Sequence, residues 1–523
     1  MQRNGVKIQK RGWGNKNPSV NRMRGEKLIF ILTLTLVIMS ELHLSAQNNP
    51  SDRTFKISES RGSAYDLLNK ISTQTGSLFI YDSKAVDNKK RGRISRGEYT
   101  IEEAIRIITQ DNSLTIKQEG EYILIYKPQP KTPERVYSGE KYVRMEGVVL
   151  DRHNGEPVVS ATVSPEGGSV GTITNQEGRF RLTLPDSLAK RNILFSSMGY
   201  EQRKVSGILL TENDVTIEMM QSVIPLQEVI VRVVDPRSIL LDAIRKRESN
   251  YHPKPLNITA FYREGIEYKS NLSLSEAVLK LYKSGLSPSF TSDQAKLLKM
   301  RKISTMGSQD TLIAKLRSTI NAIILLDIMK YPTDFLQYSG MNMYNYTHTD
   351  ITEIDGRRVY VFSFVQKEEI TEALFTGELY IDAVNHALVK AIFEVNPNRI
   401  RKFADNLIVR KSKAHEVTPV KVKYEVSYKS YNGFYLVSHI RGDLSFKVRK
   451  KGRLLTTPLN LWFEMANCKS ETEDVEKFLS DERLSTRDIF SDVQYTYDPE
   501  FWEHFNIIMQ EEKIEEIIRN YKF

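Results

Sequence analysis

Val420-Lys421-Val422-Lys423-Tyr424-Glu425-Val426-Ser427-Tyr428 decides the fold of the longest part of this chain. Strict alternation of apolar and polar residues marks a half-buried strand. It predicts Val420, Val422, Tyr424, Val426 and Tyr428 on one face, with Lys421, Lys423, Glu425 and Ser427 on the other. Similar runs flank it: 258–264, 274–282, 359–364, 376–382, 388–393, 434–437 and 443–448. Together they predict one large antiparallel sheet with one polar face, occupying residues 236–523. Helices are expected at Ser238–Arg247, in an insertion centred on Ile320–Met329, and at Glu511–Tyr521, where Ile514, Ile517 and Ile518 form an apolar stripe. A small membrane barrel shares the alternating signature and stands as the alternative. Against it, the sequence runs past its last strand into that final helix.

Upstream the texture changes twice. Residues 53–127 read strand, helix, strand, then strand, helix and hairpin, a small α+β module. Ala64, Leu67, Leu68 and Ile71 repeat at helical spacing, and Gly76 stops that helix. A second helix is expected over Ile101–Ile108, and a closing hairpin over 114–126 around Glu119-Gly120-Glu121. A Pro-rich linker covers 128–142. Residues 143–221 carry short strands between turn signals, the pattern of a seven-stranded-type β-sandwich. The fold class is therefore multidomain, α+β and all-β.

Residues 1–46 read as a signal peptide: a basic region, the apolar run Leu28–Met39 and Leu44-Ser45-Ala46 before Gln47. The apolar run is short for a membrane span. Translation starts at Met1 or Met23 on this reading. The leader holds eight basic and two acidic residues, so most of the net charge of +10 belongs to it. No nucleic-acid partner follows from the remainder. The single Cys468 allows no internal disulfide, and Gln47 stands where a lipoprotein would have its cysteine. The chain is expected to be exported, to the periplasm or in association with the outer membrane.

Five resemblances are carried by particular residues. Phe55-Lys56-Ile57, Leu67-Leu68, Phe79-Ile80-Tyr81 and Gly97–Ala104 make the first module similar to the short N-terminal domain of secretins and TonB-dependent receptors. That likeness implies a periplasmic protein-interaction module. Gly147, Gly155 with Pro157, Ala161-Thr162-Val163, Gly171-Thr172, Asn175–Phe180 and Met198-Gly199-Tyr200 resemble the carboxypeptidase-regulatory-like domain, a transthyretin-type sandwich that is not itself catalytic. Asn175 departs from it, since the family often has Asp there. With Leu226–Val231, the two modules resemble the front of SusC-like receptors of Bacteroidetes, but the remaining length is too short for their plug and large barrel. The run Gly377–Asp382 through Leu388-Val389 resembles the curved sheets of lipoprotein carriers. The whole arrangement, Phe501-Trp502 included, resembles Bacteroidetes proteins that carry the regulatory-like domain.

No catalytic, cofactor-binding or metal-binding constellation stands out. Nucleophile elbows, phosphate loops and paired zinc-ligand helices are missing from the sequence. His153-Asn154-Gly155-Glu156 has His-x-x-Glu spacing, but Asn-Gly is a turn signal and a zinc site needs further ligands. Lys84, Lys89, Lys90, Arg91, Arg93 and Arg96 read as a solvated basic loop. The expected function is non-enzymatic: an interaction module docking an envelope protein partner of the outer-membrane uptake or signalling machinery. The alternative is a carrier or sensor of an apolar or glycan ligand, a lipid among them, held by the large sheet.

Overall fold

The structure is a computed structural model. It describes residues 54–81, 86, 90–119, 122–126, 141–210, 215–222, 234–269, 271–286, 292–306, 314–316, 319–403, 408–411, 414–485, 489–490, 493, 495 and 505–511. The leader, most of the linker, the 226–231 segment and the C-terminal helix expected over 511–521 lie outside these residues, apart from Glu511.

The first module contains β1 (Thr54–Ile57), β2 (Ser60–Ser63), α1 (Ala64–Thr75), β3 (Leu78–Tyr81), β4 (Arg91–Ile94), β5 (Gly97–Thr100), α2 (Ile101–Thr109), β6 (Thr115–Glu119) and β7 (Tyr122–Tyr126). Both helices open on a capping box, Ser63 with Asp66 and Thr100 with Glu103, so each first turn has its donors satisfied by its own side chains. Gly76 ends α1 at φ +70, a conformation that favours glycine. Leu67, Leu68, Ile71, Ala104, Ile105 and Ile108 bury the facing stripes. The basic segment is not all loop: Arg91–Ile94 is strand β4, paired with β2, because Ile94 has a core position to fill.

The second module forms a four-stranded and a three-stranded sheet around one core. Its strands are β8 (Tyr142–Asp151), β9 (Thr162–Pro165), β10 (Thr172–Ile173), β11 (Arg179–Pro185), β12 (Asn192–Ser196), β13 (Arg203–Ser206) and β14 (Val215–Met219), in the orders β10-β9-β12-β13 and β11-β8-β14. Phe180 and Phe195 meet edge to face at 5.3 Å in its centre.

The third part opens with α3 (Pro236–Arg245) and builds an open ten-stranded sheet. Its strands are β15 (Leu256–Tyr268), β16 (Asn271–Lys283), β17 (Gln294–Ser304), β19 (Tyr344–Ile354), β20 (Arg357–Gln366), β21 (Phe375–Asp382), β22 (Leu388–Val395), β24 (His415–Tyr431), β25 (Phe434–Lys450) and β26 (Thr456–Glu471). A separate pair, β18 (Ala314–Leu316) and β23 (Ile408–Lys411), stands apart from it. The order is β17-β16-β15-β26-β25-β24-β22-β21-β20-β19, so β17 and β19 are edges and the described sheet does not close into a barrel. One face is covered by α4 (Thr319–Leu325) and the turns that follow it. Phe335 lies there at 4.4 Å from Phe364 and 5.2 Å from Phe393.

Two sequence readings need correction. The runs at 434–437 and 443–448 are one strand, β25. Val420 does not share the face of Val422: a bulge between Pro419 and Lys421 gives two residues to one partner, and Val420 is 43% exposed while Val422 and Val426 are buried. Replacing Phe335 by Ala should therefore shift the urea transition of the large sheet by about 3–5 kcal/mol. Val420→Ser should move it by less than about 0.5 kcal/mol. Equal losses would mean that the bulge is absent.

Candidate functional site

Two polar constellations are built into the sheet, one on each face. The first is a ladder of charge. Arg301, Glu276, Arg263, Glu464, Arg441 and Glu425 are direct cross-strand partners through six successive strands, β17 to β24. Their signs alternate, the arrangement in which opposed cross-strand neighbours attract. Arg301 Nε lies 2.5 Å from Glu276, and Arg263 Nε donates to Glu464 at 2.9 Å. Arg441 is 3.6 Å from Glu464 and bidentate to Asp443, while Lys390 holds Glu425 at 2.7 Å. His439 Nε2 sits 2.8 Å from the other Glu464 oxygen. The guanidinium groups of Arg263 and Arg441 each lie over the Trp462 ring, at 5.2 and 5.8 Å. Gly265 makes room for it, since a Cβ there would lie 2.4 Å from the indole.

Burial alone would raise the Glu464 carboxyl, but Arg263, His439 and Arg441 hold it far below the usual range. Burial works against Arg263 as well, and Glu464 and Glu511 outweigh it.

The segment 505–511 straps across this ladder. Arg263 donates to Met509 O at 3.2 Å and to Glu511 at 2.6 Å, and Gln510 Nε2 donates to Glu276 at 3.1 Å. The strap's other side belongs to the sandwich. Thr172 Oγ1 donates to Ile507 O, Thr183 N to Asn506 Oδ1, and Asn175 Nδ2 to Gln510 O at 3.2 Å. Direct contacts complete the seam: Gly171 N to Cys468 O, Ser470 N to Ser169 O, and Lys429 Nζ to Ser164 Oγ at 2.7 Å. Burial pushes the Cys468 thiol up to about 12, which leaves it unreactive.

Asn175 now has a physical account. Its Oδ1 accepts from Glu177 N and Arg179 N, the turn role that an Asp also fills. Its Nδ2 donates to the strap, which an Asp cannot do. Asn175→Asp should cost about 1–3 kcal/mol in urea unfolding, because it sets a buried carboxylate against a carbonyl. A neutral result would remove this contact from the seam.

The second constellation lies at the opposite face, where β16 ends. Lys283 is buried and bridges Asp293 and Asp327, at 2.8 Å each. Asp293 also accepts from Lys330 and from Ser284 N. Tyr428 donates to Asp327 and accepts from Met329 N, and its ring meets Tyr251 at 5.3 Å. Tyr435 donates to Asp382 at 3.2 Å. Between these groups lies a cavity of about 40 Å³, room for a few waters. Burial would raise the Asp293 carboxyl, but Lys283 and Lys330 bring it down to about 2. Burial lowers Lys330, against the pull of Asp293. With two ammonium groups facing two carboxylates, the cluster latches the 326–330 turn to the sheet.

The sequence readings of chemistry can now be placed. His153 and Glu156 flank an exposed turn, where Asn154 Nδ2 donates to Glu156 at 3.0 Å. Among the described residues no group of three or more His, Cys, Asp or Glu could hold a metal. Of the basic cluster, Arg93 pairs with Glu59 and Lys90 donates to Thr109 O; Lys84 and Lys89 lie outside the described residues. The sequence reading missed Arg263, Glu464, Lys283 and Asp293, because isolated charges in strands acquire meaning only once register is known.

The comparisons fit the middle of the chain best. Residues 145–231 match the family model of the CarboxypepD_reg-like domain. No curated protein matches the chain in sequence. Among solved structures it is similar to a DUF1329 family protein from Desulfovibrio piger, at 11% identity over 47% of this chain and 96% of that one, with a TM-score of 0.20. A LolA superfamily protein from Nitrosomonas europaea matches at 12% identity over 48% and 98%, TM-score 0.17. Lipovitellin matches at 7% identity over 43% and 26%, TM-score 0.20. Scores this low do not define a shared fold. The likeness of the first module to secretin and TonB-receptor domains, and of both modules to SusC-like receptors, rests on the sequence alone.

The latch carries a pH signature. A carboxyl held at about 2 against an ordinary 3.8 contributes stability above its ordinary range and loses it as pH falls through both values. Wild type and Asp293→Asn should differ most near neutral pH, and the difference should shrink by about 2 kcal/mol between about pH 5 and about pH 2. A flat difference would mean that the lysines do not hold Asp293 charged.

Proposed function

We propose that this chain is an exported, non-enzymatic envelope protein that works through its folded surfaces, docking a protein partner of the outer-membrane uptake or signalling machinery. The observation that carries this reading is the filled core face of the ten-stranded sheet. Phe335, Phe364, Phe393 and Tyr344 occupy the space a ligand would take. The cavity of about 40 Å³ beside the Lys283 latch is far below the ~300–1,000 Å³ of a small-molecule site. Meanwhile β6 is the outermost strand of the first module's three-stranded sheet. A partner strand can add to such an edge. The resemblance of this module to periplasmic interaction domains supports the same use.

One observation favours the carrier as a second reading. The cover over the sheet's aromatic residues is short, running from Thr319 to Met343 through α4 and two single-turn helices. Lifting it would open an apolar trough along Phe364, Phe375 and Phe393.

Purification from gently solubilised, cross-linked envelopes separates the two. A discrete protein partner, lost when residues 53–127 are deleted, is the expected result. Copurifying lipid or glycan with no protein partner would overturn docking in favour of the carrier.

A further inference from the structure

We propose that the tip of the β25–β26 hairpin inserts into the surface of an anionic lipid bilayer. This goes beyond the docking reading and stands on different residues.

The strands at this end outrun their neighbours. The last pairing of β22 with β24 is at Lys423, and the last pairing of β15 with β26 is at Leu459. Beyond these points the three strands β24, β25 and β26 pair with one another as far as His415, Lys450 and Thr456. At about 3.3 Å per residue the three strands run about 25 Å past the last β22 pairing and about 10 Å past the last β15 pairing, with Val417, Phe446 and Val448 buried along the way and the loop beyond them exposed. That loop is Lys450-Lys451-Gly452-Arg453-Leu454-Leu455, turned by Gly452 at φ +81.

Leu454 is 93% exposed and Leu455 87%, the highest values among the large hydrophobics of the described residues. Adjacent in the loop, they belong to none of the apolar clusters formed by the described residues. Around them Lys447, Arg449, Lys450, Lys451 and Arg453 are all exposed. The strand beside them offers one carboxylate, Glu416, and Arg449 already holds it. A second exposed apolar pair, Ile208 and Leu209, sits in a short 3-10 helix, Gly207–Leu210, that carries no charge.

Shape and charge together choose the partner. Two leucines on a convex point bury little against a protein, where a stable interface takes about 800 Å² per partner. A bilayer surrounds a point from every side. Its acyl boundary accepts the leucines, its anionic headgroups accept the basic collar, and the long Lys and Arg stems lie along the transition between them.

The test uses the protein as cells make it, with wild type and variants processed alike. Sedimentation with vesicles of phosphatidylglycerol and phosphatidylcholine is compared with vesicles of phosphatidylcholine alone. Wild type should bind the anionic vesicles, and high salt should release it. Leu454→Ser with Leu455→Ser should weaken binding by roughly tenfold per leucine. Lys450→Glu with Lys451→Glu should weaken it by at least about fivefold per residue. All these positions are exposed, so the variants should melt as wild type does. Insertion is read directly by Leu455→Cys carrying an environment-sensitive dye, because Cys468 is buried and stays unlabelled. A rise in dye emission on the anionic vesicles is expected. Emission unchanged by vesicles, or equal binding of wild type and the double leucine variant, would overturn the proposal. So would a dye that responds to an envelope protein but not to protein-free vesicles.

Discussion

The guanidinium of Arg263 constrains more of this molecule than any other group. It is 1% exposed, in the middle of a sheet, and must find charge on all sides. Glu464 lies directly across on β26, Glu276 directly across on β16, and Glu511 comes from the strap. These partners exist only in one register. A slip of one residue between β15 and β26 would turn one of the two strands over and carry either Arg263 or Glu464 to the apolar face, where Tyr262 and Phe490 pack and no opposite charge waits. The ladder therefore gives the large sheet specificity of pairing, beyond whatever net stability its ion pairs add.

The same group decides how the two β parts meet. A covered ladder needs a cover that supplies carbonyls and a carboxylate, and the strap does so with Met509 O and Glu511. The strap in turn needs partners on its far side. The sandwich presents Thr172, Asn175 and Thr183 in a row to it. Asn175 supplies an amide donor to the strap that an aspartate in the same turn would lack. A turn residue in the sandwich and a buried arginine in the sheet are thus parts of one seam.

What could be read from the sequence followed from local chemistry. Ser63, Thr100 and Gly76 announce helix ends, and their geometry is as their side chains dictate. Val422 and Val426 declare a buried face by spacing alone. Val420 misled, because a bulge is a property of two strands and its signal is not in either one. Strands β17 and β26 were hidden for another reason: Gln294–Ser304 is rich in lysine, and Thr456–Glu471 places Glu464 and Asn467 where apolar residues are expected. Arg301 and Glu464 of these strands are set by their cross-strand partners in the ladder, so their pattern follows neighbours that no window of sequence contains. The Lys283 latch was invisible likewise, since Asp293 and Asp327 come from separate loops.

Filling and covering leave the sheet few ways to act. Its apolar face is closed by α4 and the Phe335 cluster, and much of its polar face lies under the strap and the sandwich. The β17 edge lies beside β3 of the first module. Among the described residues, the β19 edge and the loop joining β25 to β26 remain exposed. Strands β24, β25 and β26, of 17, 17 and 16 residues, run beyond the reach of their sheet neighbours β22 and β15. Val417, Phe446 and Val448 carry the core along this extra length, but the loop that closes it ends on two leucines that water disfavours. Such a loop is economical only if its end meets something, and the basic collar indicates the sign of the surface it meets.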